Sequence, residues 1–274
     1  MTSWLASNEV GTSAGLEALQ DALPVDLIAT PRAEFVTCGP DDTLAEILAR
    51  EYDFDHIPVV ERPSDGVERI VGLLDLVSVT TEGLVGGSVA NRMSRLTENN
   101  LIGTQASLLS FVRSARERPC RLVVAGERIS GIVTLSDLQK LPVRAALFAL
   151  VTNLEAIMSG RIEALCSDPQ NWMDILSDKR KQDLSSKIRA SKAGEGFVNA
   201  ILFTQFCDKR DIISKSGLFQ EFDKTFTSDL HKIEKIRNAL AHGNHYADTP
   251  DSARHLCHMV QRIDHWTSCL SLLP

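Results

Sequence analysis

One pattern occurs twice in the first half of the 274-residue chain, and a repeated unit of this size predicts stacked copies of one small fold. In residues 35–79 a short extended segment, Phe35-Val36-Thr37, leads through the polar turn Pro40-Asp41-Asp42-Thr43 into a helical stretch, Leu44-Ala45-Glu46-Ile47-Leu48-Ala49. In residues 101–140, Leu101-Ile102 leads through Gln105-Ala106-Ser107 into Leu108-Leu109-Ser110-Phe111-Val112. Thr43 and Ser107 are the expected N-caps, because a hydroxyl just before a helix can accept from one of its unpaired amides. Each copy then carries two apolar strands flanking a charged or glycine-bearing turn. They are His56-Ile57-Pro58-Val59-Val60 with Ile70-Val71-Gly72-Leu73-Leu74, and Arg121-Leu122-Val123-Val124 with Ile129-Ser130-Gly131-Ile132-Val133-Thr134.

The stretch Gly131-Ile132-Val133-Thr134-Leu135-Ser136-Asp137-Leu138 has residues suited to a nucleotide. A hydroxyl at a strand end can bond a phosphate, a fixed carboxylate can accept two hydrogen bonds from a ribose diol, and a helix N-terminus favours anions. The whole pattern resembles a tandem pair of CBS domains, a Bateman module, spanning 23–143 with repeats at about 23–83 and 88–143, after an N-terminal extension over 1–22. The resemblance implies an adenine nucleotide, AMP, ATP or a relative, as regulatory ligand. It assigns Thr134 and Ser136 to the phosphate side, Asp137 to the ribose and Arg121 to a basic phosphate contact, with His56 at the equivalent place in the first repeat. That repeat departs from the pattern: Asp75 stands where Thr134 lies and Ser78 where Asp137 lies, so one competent site is expected, on the second repeat. The alternative is that Thr134 and Asp137 only cap the following helix, in a module that serves as a dimerisation scaffold.

Beyond Leu141-Pro142-Val143-Arg144 strand patterning stops, and the spacing predicts five helices with short loops, an antiparallel bundle over 144–274. The expected helices are Ala145–Cys166, Trp172 to about Ala190, Phe197 to about Ser214, Leu218–Ala241 with an interruption or cap at Thr227-Ser228-Asp229, and a last one opened by Thr249-Pro250. The fold class is therefore α+β, a βαββα-type pair followed by an all-α region. Charge divides in the same place. Residues 1–150 hold 20 acidic against 13 basic side chains, the remainder 16 of each. A chain with net charge −7 does not coat nucleic acid by bulk electrostatics, so any RNA contact is local, and no DNA partner is expected.

Near the end of the fourth helix stand Arg237-Asn238-Ala239-Leu240-Ala241-His242, followed by Gly243. An always-charged guanidinium suits a phosphodiester, and an imidazole titrating near neutrality can move the protons that attack by a ribose 2'-hydroxyl requires. Leu230, Ile233, Ile236 and Leu240 mark the buried stripe, and Arg237 and His242 fall off it. The segment resembles the Arg-x4-6-His signature of the HEPN superfamily, whose active members are metal-independent ribonucleases. The resemblance implies a homodimer whose two motifs share one cleft. It gives Arg237 the scissile phosphate, His242 the part of general base or acid, and Asn238 a hydrogen bond to the phosphate. No metal or other cofactor is needed for cleavage, and the combination fits a toxin or defence effector. The alternative is a helix C-terminus that attracts Arg and His to its negative pole, with Gly as the stop.

Other features carry less. His242 with His245 and His255 with His258 are three residues apart, but no paired-cysteine or His-x3-His element accompanies them, so no metal site is expected. The basic stretch Lys179–Lys192 reads as a solvated face or an RNA groove. Trp172, Trp266, Cys257 and Cys269 are expected in the core. Six cysteines without a C-x-x-C pair, no leader-like N-terminus and no apolar stretch long enough to span a bilayer predict a cytoplasmic protein with no membrane partner.

Overall fold

The structure, a computed structural model, describes residues 6–272 apart from 51, 53, 65, 84–85, 167, 194–198 and 218–223. In chain order its elements are α1 (Ala6–Ala22), β1 (Thr30–Pro31), α2 (Leu44–Leu48), β2 (His56–Glu61), β3 (Arg69–Asp75), α3 (Leu76–Thr81), β4 (Ser94–Arg95), β5 (Leu101–Gly103), α4 (Leu108–Ser114), β6 (Cys120–Ala125), β7 (Arg128–Thr134), α5 (Leu141–Leu165), α6 (Pro169–Met173), α7 (Asp178–Ala193), α8 (Phe206–Lys215), α9 (Lys224–Ala241) and α10 (Pro250–Ser271). They form two compact units, Pro24–Asp137 and a helical one that joins residues up to Leu23 with Leu138–Pro274.

The first unit holds two small sheets, ordered β2-β3-β4 and β1-β7-β6-β5. Each repeat supplies an antiparallel hairpin, and each hairpin shifts register at the same point, between Val59 and Val60 and between Val123 and Val124. The outer strand is exchanged. β1, from the first repeat, pairs with β7 of the second, and β4, from the second, pairs with β3 of the first. The exchange continues in the flanking turns, where Val25 donates to the Ala106 carbonyl (2.8 Å) and Val89 to that of Asp42 (2.9 Å).

Gly72 pairs with Arg95, and Gly131 with Pro31. A Cβ on Gly72 would lie 2.6 Å from the Ser94 carbonyl oxygen, and one on Gly131 3.0 Å from that of Thr30. Both distances are at or below the closest approach of real side chains, so the glycines are what lets the exchanged strands come in. Between the sheets, Val60, Ile70 and Leu73 of one repeat pack on Cys120, Leu122 and Ile132 of the other. Thr43 caps α2 in a reciprocal box with Glu46. Ser107 precedes α4 as expected, but its hydroxyl makes no cap bond and is buried without a partner.

The helical unit is centred on α5, which packs against α1, α8, α9 and α10. At 25 residues α5 is long and apolar enough to cross a membrane, a length and composition not expected from the sequence. Its Val143, Leu147, Leu150, Leu154, Met158 and Ile162 are instead buried among the neighbouring helices, the setting of a core helix. Of the stretch 1–22, read as an extension, Ala6–Ala22 form α1, which groups with this unit.

Three helical expectations are corrected. Trp172–Ala190 is two helices, because Asp168 caps a short α6 that ends at Met173 before α7 starts at Asp178. The third helix is a 3-10 turn over Ala200–Phe203 and then α8, which Gln205 and Asp208 open with a capping box; its expected start, Phe197, lies outside the described residues. α9 runs through Thr227-Ser228-Asp229 without interruption. Asp229 there is buried and accepts from Arg262 Nε (2.6 Å) and Trp266 Nε1 (3.0 Å) on α10, so its side chain ties two helices together rather than capping one. The expected start Leu218 lies outside the described residues. Thr249 and Pro250 open α10 as the sequence predicts.

Candidate functional site

At the end of β7 the Thr134 amide donates to Asp137 Oδ2 (2.6 Å) and its hydroxyl reaches the same oxygen (3.3 Å). Asp137 is buried in the 3-10 turn Leu135–Gln139, Thr134 is half-buried and Ser136 is exposed. The carboxylate therefore acts as a capping residue, and the same hydrogen bonds fix it beside the Thr134 hydroxyl at a strand end. In the first repeat the two residue types have changed places. Asp75 caps α3, accepting from the amides of Val77 (3.0 Å) and Ser78 (3.2 Å) and from the Ser78 hydroxyl (2.8 Å).

Pairing in the hairpins gives the residue-by-residue correspondence of the repeats. Cys120 faces Thr134 and His56 faces Asp75, whereas Arg121 faces Val133 and Ile57 faces Leu74. His56 is thus the counterpart of Cys120, and Arg121 that of Ile57, which corrects the sequence alignment by one residue. Because successive strand residues project to opposite faces, that single step separates Arg121 from Thr134. Arg121 instead donates to the Leu101 carbonyl and lies 3.5 Å from Ser114 Oγ on α4. Burial, with the nearby charge of Arg118, lowers its affinity for a proton, and its Nε is buried without a hydrogen-bond partner. Thr134, Ser136 and Asp137 stand together at the end of β7, whereas Arg121 projects to the other face of its strand and His56 pairs with Asp75 in the first repeat.

Cys120 was missed by sequence reasoning. Burial pushes its thiol up to about 12, and the charges of Asp137 and then Asp75 act in the same direction. The carboxylates of both repeats thus act on one buried thiol between the sheets, a link visible only once the strands are paired.

The second candidate is the turn after α9. Gly243 takes the left-handed conformation (φ 71°), and the Asn244 amide reaches back to the Ala239 carbonyl (3.0 Å), which closes the helix. Asn238 and His242 are exposed and Arg237 is half-buried, with Arg237 Nη1 3.3 Å from Asn238 Oδ1. The expected stripe is inward, with Leu230, Ile233 and Leu240 buried. Among the described residues no three His, Cys, Asp or Glu side chains are grouped to hold a metal ion. Trp172, Trp266 and Cys257 are buried, but Cys269 is part-exposed with its sulfur 3.7 Å from His265 Nε2.

The family model described as CBS domain matches residues 26–82, the first repeat. No curated protein matches the chain. Among solved structures it is similar to the CBS domain of a bacterial CNNM/CorC family Mg2+ transporter in complex with ATP (26% identity, 48% of this chain and 93% of that one, TM-score 0.36). It is also similar to the CBS domains of a transcriptional regulator from Streptococcus pneumoniae (20%, 43% and 98%, 0.35) and to CBSX2 in complex with AMP (21%, 46% and 96%, 0.35). The sequence match covers the repeat whose motif is reversed, while the second repeat shares its hairpin, bulge and strand exchange. Residues 26–82 are a CBS domain.

Proposed function

We propose that this chain is a nucleotide-regulated, metal-independent endoribonuclease, in which a CBS pair binds an adenine nucleotide and a HEPN-like helical domain over 144–274 cuts RNA. The observation that carries the nucleotide half is the Thr134–Asp137 pair at the end of β7, a hydroxyl and a carboxylate fixed 3.3 Å apart. A phosphate would take the Thr134 and Ser136 hydroxyls, and a ribose diol would donate to the Asp137 carboxylate. The reversed pair in the first repeat puts a carboxylate where a phosphate would sit, so the second repeat is the competent one.

The nuclease half rests on the exposed His242 and Asn238 beside Arg237. In this reading two protomers bring their turns into one cleft. Arg237 steadies the charge that builds on the scissile phosphate, His242 moves a proton, and the substrate's 2'-hydroxyl attacks, leaving a 2',3'-cyclic phosphate and a 5'-hydroxyl. The nucleotide acts through its preference between dimer states. Six cysteines, none of them in a disulfide, fit a cytoplasmic setting.

The rival reading is a ligand-sensing adaptor without catalysis. It is favoured by the turn itself, since Gly243 and the Asn244 bond are what any helix end needs. Purified full-length protein is incubated with total RNA in EDTA, with and without AMP or ATP, beside Arg237→Ala, His242→Ala and Asp137→Ala. Expected is cleavage with 2',3'-cyclic phosphate ends, reduced at least roughly 100-fold by either of the first two substitutions, and a nucleotide response lost in the third. Cleavage that survives both Arg237→Ala and His242→Ala removes the nuclease proposal; unchanged nucleotide affinity in Asp137→Ala removes the site.

A further inference from the structure

Two residues outside the Arg-x4-His motif bracket its histidine. Arg144, in the first turn of α5, donates from Nη1 to the carbonyls of Ala239 (3.2 Å) and Leu240 (3.0 Å) and from Nη2 to that of Asn244 (2.8 Å). Its guanidinium carbon also stands 4.9 Å from the centre of the Tyr246 ring. Tyr246 is buried and donates its hydroxyl to the Leu138 carbonyl (2.6 Å). The chain is therefore held two residues before His242 and again two and four residues after it, by groups that come from the start of α5 and from Leu138.

From these contacts we infer that Arg144 and Tyr246 are positioning residues for His242, an inference that rests on the nuclease reading above. A helix end leaves its last carbonyls unpaired, and water can satisfy them without fixing where the following turn points. A planar guanidinium bonded to three carbonyls on both sides of the turn does fix it, and its charge suits the negative pole of α9. Gly243 supplies the bend, whereas Arg144 and Tyr246 set its direction. The geometry matters because a displacement of about 1 Å at a catalytic group costs roughly 100-fold in rate.

The test compares the full-length parent with Arg144→Lys, Arg144→Gln and Tyr246→Phe, using an RNA fragment taken from those that the parent cleaves in total RNA. Steady-state kinetics are read beside amide hydrogen exchange. Expected for Arg144→Gln and Tyr246→Phe is a roughly 10- to 100-fold fall in kcat with KM within about twofold, and faster exchange confined to residues 239–247. Arg144→Lys restores only part of kcat, since an ammonium keeps the charge but not the three-way fork; a role limited to the helix pole predicts full rescue and overturns the inference. Parental kcat in both Arg144→Gln and Tyr246→Phe overturns it too, as does exchange that accelerates evenly over α5, α9 and α10, the mark of general destabilisation. A parent that cleaves no RNA removes the nuclease reading and this one with it, whereas an active parent untouched by these substitutions removes only the positioning role.

Discussion

Gly72 and Gly131 stand at the same place in the two repeats, each facing a strand that arrives from the other repeat. Adding a methyl group at either should strain the pairing, but not equally, because the Ser94 oxygen would be met at 2.6 Å and the Thr30 oxygen at 3.0 Å. Gly72→Ala is expected to cost about 2–3 kcal/mol and Gly131→Ala about 1 kcal/mol in urea unfolding; the reverse order would show that close approach is not what these glycines serve. Asp229 gives a second prediction at this scale. Burial alone would push its carboxyl up, but hydrogen bonds from Arg262 and Trp266, with the charges of Arg262 and Lys232, outweigh it and hold the carboxyl below its ordinary range. A depressed folded-state value means a contribution that is complete above the ordinary carboxylate range and lost as pH falls toward the lowered one. Asp229→Ala should therefore destabilise by about 3 kcal/mol at pH 7 and by much less at pH 3, as read from denaturant midpoints at the two pH values.

Elements were legible in proportion to how local their causes are. The repeated hairpins follow from alternation in a few residues, and α2 and α10 start where Thr43 and Thr249 make their own capping boxes. The interruption expected in α9 was misplaced because the partners that make Asp229 a buried helical residue lie 33 and 37 positions further on. β1 and β4 are two residues each, too short for alternation to register, and one of them contains Pro31. The alignment of Arg121 with His56 was out of reach for the same reason: both open an apolar run, and only the pairing of Gly72 and Gly131 with the common bulge shows them one step out of register. The helix stop at Gly243 was readable, and its φ of 71° predicts that Gly243→Ala costs about 1 kcal/mol by thermal unfolding. What Arg144 does to that stop was not readable, since it acts from 95 residues away.

Across the whole molecule, the charge deficit lies in the first 150 residues and the remainder is balanced, 16 against 16. An RNA substrate recognised by the second part should then show a shallow salt dependence, with log KM rising by roughly one to three per decade of salt rather than the steep slopes of proteins that neutralise six to ten phosphates. KM measured between about 50 and 300 mM salt checks this, and a slope near ten would mean that a large basic surface binds the RNA. The exchange of outer strands has a different consequence. Because β1 belongs to the sheet of the second repeat and β4 to that of the first, neither copy carries a complete sheet in its own stretch of chain. A backbone break introduced at Gly86 should accordingly leave two fragments that co-purify and melt together, and either fragment expressed alone should be insoluble until its complement is supplied.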